Sequence, residues 1–94
     1  MVNRDHRYDL IKPMIIGGKI KSFNDIFKFI PKTVVATDLG KKVDRFTDLM
    51  NRVEGFTLED LFLMAKSFDI EESEMLMLVE NQYKINKDKI VKLK

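Results

Sequence analysis

The stretch Pro31-Lys-Thr-Val-Val-Ala-Thr-Asp-Leu-Gly40, with Thr57-Leu-Glu-Asp-Leu-Phe-Leu-Met-Ala-Lys-Ser-Phe-Asp-Ile70 further on, decides the fold. Proline is tolerated at the start of a helix, where its missing N–H has no intrahelical partner to lose. Pro31 therefore opens a helix predicted over Lys32 to about Asp38, with Val35, Ala36 and Leu39 inward. Gly40 is placed for the left-handed residue that a tight stop between two helices requires. Ala36 is small enough for a second helix to cross it closely. That second helix is predicted over about Lys42 to Arg52, with Phe46, Leu49 and Met50 on one face. Gly55 breaks the chain. Thr57 is an N-cap, and Glu59 and Asp60 suit the positive end of the helix that follows. Leu58, Leu61, Phe62, Ala65 and Phe68 form its apolar stripe.

Upstream, Ser22 with Asp25 three residues on is a capping-box variant. Phe23, Ile26, Phe27 and Ile30 follow at helical spacing, and Pro31 closes that segment. Tyr8 to Ile16 suits a short helix that either begins near Pro13 or kinks there, since proline removes a donor. Gly17-Gly18 ends it, and residues 1–7, being polar, are expected to fray. Downstream, Glu71, Glu72 and Glu74 mark the start of a last helix reaching Tyr83. The lysine-rich residues 84–94 then read as a frayed helix or a tail. No strand alternation is visible. The expected fold is all-α, a compact five- to six-helix domain with a helix-turn-helix core. Its divisions are an N-terminal arm and extra helix over 1–21, the helix-turn-helix domain over 22–83, and a basic tail over 84–94.

Ninety-four residues suffice for one domain with a single core. The absence of cysteine excludes disulfides and thiolate metal sites. The net charge of +2 is unevenly placed: residues 84–94 hold five lysines and one aspartate, while the body over 13–83 is slightly acidic. That balance is unlike a strongly basic nucleic-acid-binding domain. The apolar run Met75–Val79 is far short of the ~20 residues that span a bilayer, and the N-terminus shows no apolar leader segment. A cytoplasmic location with no membrane contact is the expectation. His6 is the only histidine, Gly17-Gly18 lacks a phosphate-loop pattern, and the Glu71, Glu72, Glu74 spacing fits no calcium loop. No catalytic constellation, cofactor site or metal site is expected, and the protein is read as a non-enzyme.

Ala36, Leu39 and Gly40, then Phe46 and Leu49, then Thr57, Leu58, Leu61, Ala65, Phe68 and Ile70 occur in one ungapped order. In this pattern the chain resembles the lambda-repressor-like (XRE-type) family of helix-turn-helix DNA-binding domains, from Ser22 to about Tyr83. The resemblance implies that the Lys42–Arg52 helix enters the major groove of double-stranded DNA. It places Lys32 and Lys41 on phosphates, and Lys42, Val43, Asp44, Arg45 and Asp48 toward the groove. Three of these depart from ordinary base readers. Arg and Lys read guanine, and Asn and Gln read adenine. Val43 can meet only a thymine methyl, while Asp44 and Asp48 repel phosphates unless a cytosine amine faces them.

The implied function is a small DNA-binding transcription regulator that works as a dimer. The alternative is a protein-interaction module on a helix-turn-helix fold that has lost DNA readout. The run Met75–Val79 covers more than one helix face. Met75, Met77 and Leu78 are therefore candidates for a dimer or partner interface, the other cover being the N-terminal segment through Leu10, Ile11 or Ile15. Of the seven phenylalanines most lie on apolar stripes, but Phe29 and Phe56 fall off them and are expected at the surface. The lysine tail either tracks phosphates or only aids solubility.

Overall fold

The computed structural model describes residues 4–92, which form helices joined by turns, with no strand among them. The α-helices are α1 (Ile11–Ile16), α2 (Lys32–Asp38), α3 (Val43–Asn51), α4 (Leu58–Phe68) and α5 (Glu72–Lys92). Short 3-10 turns occupy His6–Leu10, Phe23–Lys28 and Val53–Gly55.

Three helix ends are closed by one hydrogen-bond pattern, in which a left-handed residue folds the chain back over the last carbonyls. After α1, Gly18 N–H donates to Ile15 O at 3.1 Å and Lys19 N–H to Met14 O at 2.8 Å. After α2, Gly40 N–H donates to Thr37 O at 3.0 Å and Lys41 N–H to Ala36 O at 2.8 Å. After α4, Asp69 N–H donates to Lys66 O at 3.2 Å and Ile70 N–H to Ala65 O at 3.0 Å. Gly18 and Gly40 take φ of 76° and 73° without steric cost, whereas Asp69 takes φ 58° with a side chain attached.

Helix starts follow local chemistry too. Thr57 Oγ1 accepts from Asp60 N–H at 3.1 Å, and Asp60 Oδ2 accepts in return from Thr57 N–H at 3.4 Å. Asp25 Oδ2 accepts from the N–H groups of Lys21 and Ser22 at 3.0 and 3.2 Å. The Ser22 segment is a 3-10 turn rather than an α-helix. Such 3-10 geometry is used in short pieces. Pro13 neither starts nor kinks α1: it is the third residue of a helix begun at Ile11, in the first turn, where N–H groups are unpaired anyway.

Residues 4–7 are held rather than frayed; residues 1–3 lie outside the described part. Asp5 accepts from the Arg7 N–H at 2.9 Å and pairs with its guanidinium at 2.7 Å, which holds the Asp5 carboxyl well below the usual carboxylate range. Tyr8 is buried, stacks obliquely on Phe68 at 5.5 Å, and donates its hydroxyl to Asp38 Oδ2 at 2.6 Å. Burial, then the Asp38 carboxylate, raises the Tyr8 phenol above its ordinary range. Arg4 lies over the Tyr8 ring and donates to Ser67 O. The arm thus ties the end of α2 to the end of α4.

The centre of the core is a cluster of rings. Phe23 meets Phe27 at 5.3 Å and Phe56 at 5.2 Å, and Phe46 meets Phe27 at 5.4 Å and Phe56 at 5.6 Å. Phe56 is therefore core, against expectation, because extended backbone between the Val53–Gly55 turn and α4 swings its ring inward. Phe29 is also partly buried against the core. On α4 the buried stripe is Leu61, Met64, Ala65 and Phe68, so Leu58 is out of phase and 61 % exposed. The last helix does not stop at Tyr83: α5 runs unbroken to Lys92, with Lys84, Lys87 and Lys89 exposed along it. Of the tail's remaining lysines, Lys94 and the side chain of Lys92 lie outside the described part. No described helix is long and apolar enough to cross a membrane.

Replacing Asp69 by Gly should raise stability by about 1 kcal/mol by removing the left-handed Cβ, and Gly40→Val should lower it by about the same or more; urea midpoints test both. Asp25 gives a pH signature. Burial works to raise its pKa, but the Lys21 and Ser22 N–H groups and Lys28 outweigh that and hold it below the ordinary carboxylate value. Its stabilising contribution is therefore full above the ordinary carboxylate value and is lost as pH falls through the lower folded one. Asp25→Asn should flatten the acid limb of a stability-against-pH curve.

Candidate nucleic-acid interface

Helix α3 is anchored on one side and open on the other. Phe46 and Leu49 point into the ring cluster and are buried. The opposite face presents Lys42, Asp44, Arg45 and Asp48, all exposed. Lys42 is the N-cap residue with extended backbone, and its carbonyl accepts from Phe46 N–H at 2.9 Å. Its side chain has no acceptor oxygen for capping, so the ammonium is left at the mouth of the turn. Lys32 sits half-buried at the start of α2.

Two of the residues expected on this face are otherwise engaged. Lys41 Nζ lies 3.2 Å from Asp60 Oδ2, with only 24 % of its side chain exposed, so it joins the turn after α2 to the first turn of α4 rather than facing outward. Asp60 attracts it because the capping carboxylate sits at that point with one oxygen facing the turn. Val43 is partly buried against the core, since an apolar side chain at the first position of α3 gains more from packing than from water. Thr47 Oγ1 donates back to its carbonyl at 3.0 Å.

Two residues not singled out from the sequence join the face: Asn51 and Arg52, both exposed at the end of α3. Arg52 Nε lies 4.0 Å from Glu54 Oε2. A shallow groove runs between Arg45, Asp48, Asn51, Arg52, Glu54 and Gly55. A second groove shares Asn51, Arg52 and Glu54 with it and is closed by Tyr83, Asn86 and Lys87 of α5.

An amide network fixes α5 beside α3. Gln82 is buried; its Oε1 accepts from Asn24 N–H at 3.0 Å, and its Nε2 donates to Asn86 Oδ1 at 2.9 Å. Asn86 Nδ2 donates to the carbonyls of Met50 and Asn51 at 3.3 and 3.2 Å, and Asn24 Nδ2 donates to Met50 O at 3.2 Å. Carbonyls at the end of α3, unpaired within the helix, are thereby satisfied. The same packing corrects the expected apolar interface. Met75 and Leu78 are 0 % and 1 % exposed, because α5 packs on α4 and on the Phe23–Lys28 and Val53–Gly55 turns. They are core, and only Met77, at 51 %, stays open, with Leu76 beside it.

Among the described residues no group of His, Asp and Glu side chains converges as a metal site. Comparison with protein-family models, with characterised proteins and with solved structures finds no match.

Asp60→Ala removes both a capping partner and the Lys41 contact, and should lower stability by about 1–2 kcal/mol. Lys41→Gln, which leaves the cap, should cost about 1 kcal/mol at most. Thermal or urea unfolding of the two variants side by side tests that order.

Proposed function

We propose that this chain is a small DNA-binding transcription regulator. In this reading α2, the turn through Gly40 and α3 act as a helix-turn-helix unit, and α3 lies in the major groove. The observation that carries the reading is the two-sidedness of α3, whose buried Phe46 and Leu49 leave Lys42 and Arg45 on the outward face. Residues three apart on a helix are neighbours, so these two cations can act on one stretch of duplex. Lys32 holds a flanking phosphate. Lys41 plays no direct part, since its charge is matched by Asp60. Asp44 and Asp48 keep non-specific affinity low and restrict the groove positions they face to cytosine amines. The regulator works as a cytoplasmic dimer, and the exposed Leu76 and Met77 of α5 are its contact.

A second reading, a protein-interaction module that no longer reads DNA, draws on the same face: Asp44 and Asp48 are exposed beside Lys42 and Arg45 and oppose their charge. Titration with labelled random-sequence duplex across ~50 to ~200 mM salt separates the two, because phosphate contacts make affinity fall steeply with salt. The regulator reading expects weak binding with that dependence, abolished in Lys42→Glu/Arg45→Glu with an unchanged helical circular-dichroism signal. No binding by the wild-type protein at the lowest salt would leave the interaction module. Met77→Glu should convert a sedimenting dimer to a monomer with the fold intact.

A further inference from the structure

Alone, the α3 face is short of cations. Lys41 is held by Asp60, and Asp44 and Asp48 stand beside Lys42 and Arg45. The second groove, between the end of α3 and the C-terminal half of α5, supplies more. Arg52 belongs to both grooves, and its side chain is 81 % exposed. Across from it, Lys87 Nζ is poised 5.7 Å from the centre of the Tyr83 ring, where the ring's negative face holds an ammonium.

Lys87 is not on a loose tail. It is on a helix whose Asn86 side chain is bonded to the Met50 and Asn51 carbonyls. Its backbone is thus already ordered relative to α3, and a contact made by Lys87 does not carry the entropy cost of ordering a free terminus. Opposing charges are nearby: Glu54 is 4.0 Å from Arg52, Glu80 is 3.8 Å from Lys84, and Asp88 is the residue after Lys87. Both ion pairs are solvent-exposed, and exposed pairs of this kind contribute little and yield readily to a phosphate.

We infer that this second groove is a phosphate clamp. Arg52 and Lys87 engage the backbone of duplex DNA beside the segment that α3 faces, so that α5 extends the footprint of the domain along the strand. Glu54 acts as a built-in brake on that contact. The inference rests on the DNA-binding reading and adds to it a second, sequence-independent contact.

The test is duplex titration across ~50 to ~200 mM salt with Arg52→Gln, Lys87→Gln, their combination, and Glu54→Gln. Each cation lost should reduce the slope of log affinity against log salt by about 1, and the double variant by about 2. Glu54→Gln should bind more tightly than wild type, a gain that loss of a merely structural residue would not give. All three positions are exposed, and circular dichroism should be unchanged. An unaltered slope in the double variant, with binding still abolished by Lys42→Glu/Arg45→Glu, would overturn the clamp and leave α3 acting alone. Absence of binding by the wild-type protein would overturn the clamp and the regulator reading together.

Discussion

Four phenylalanine rings hold together segments that are distant in the chain. Phe23 and Phe27 come from the turn after Ser22, Phe46 from α3, and Phe56 from the extended link into α4. Most of their contacts are edge-to-face, an arrangement that contributes about 0.5–1.5 kcal/mol per pair beyond area burial. Helix α3 depends on them. Its nine residues are too few for a stable isolated helix. With Phe46 fixed among three other rings, the helix can turn neither about its axis nor away from the body. The outward direction of Lys42, Arg45 and Asp48 is therefore a consequence of packing on the opposite side. A cavity at Phe46 would affect the exposed face as surely as a change on it.

The capping of α4 has a parallel role in charge placement. Asp60 accepts from Thr57 N–H and also faces Lys41. One carboxylate thus caps the start of a helix and withdraws a lysine from the surface beside α3. What is left outward is a mixed face, and the cations around it come from α3 and α5 together. The body's slight acidity and the lysines of α5 are in this sense complementary parts of one surface rather than body and appendage.

The features legible in the sequence are those set by neighbours within a few residues. Gly40 closes α2 and Thr57 with Asp60 opens α4 because those hydrogen bonds are local. The α2 span and the all-helical class follow from equally local punctuation. The phase of α4 is less legible. Leu58 and Met64 are both apolar, and packing against α5 exposes the first and buries the second. Phe56 belongs to no periodic stripe, so its burial is visible only when the ring cluster closes. Of the residues assigned to the α3 face, Lys42, Asp44, Arg45 and Asp48 lie there. Lys41 and Val43 are drawn off by partners that only the tertiary arrangement supplies. The position of α5 is the least legible feature. Its register depends on the amides of Gln82 and Asn86 meeting backbone groups of Asn24, Met50 and Asn51, and no composition rule signals such long-range pairings.

Helix α5 also closes parts of the chain that are made before it. Asn24 N–H and the Asn51 carbonyl wait for Gln82 and Asn86, and α4 and the Phe23–Lys28 turn wait for Met75 and Leu78. On a ribosome the chain emerges N-terminus first, so the phenylalanine cluster forms, if at all, with one flank uncovered until most of α5 is outside. Through that interval the nascent chain presents apolar surface of the kind chaperones hold. A ribosome stalled before residue 82 would leave the chain in that open form, and completion of a single helix is the event that seals it.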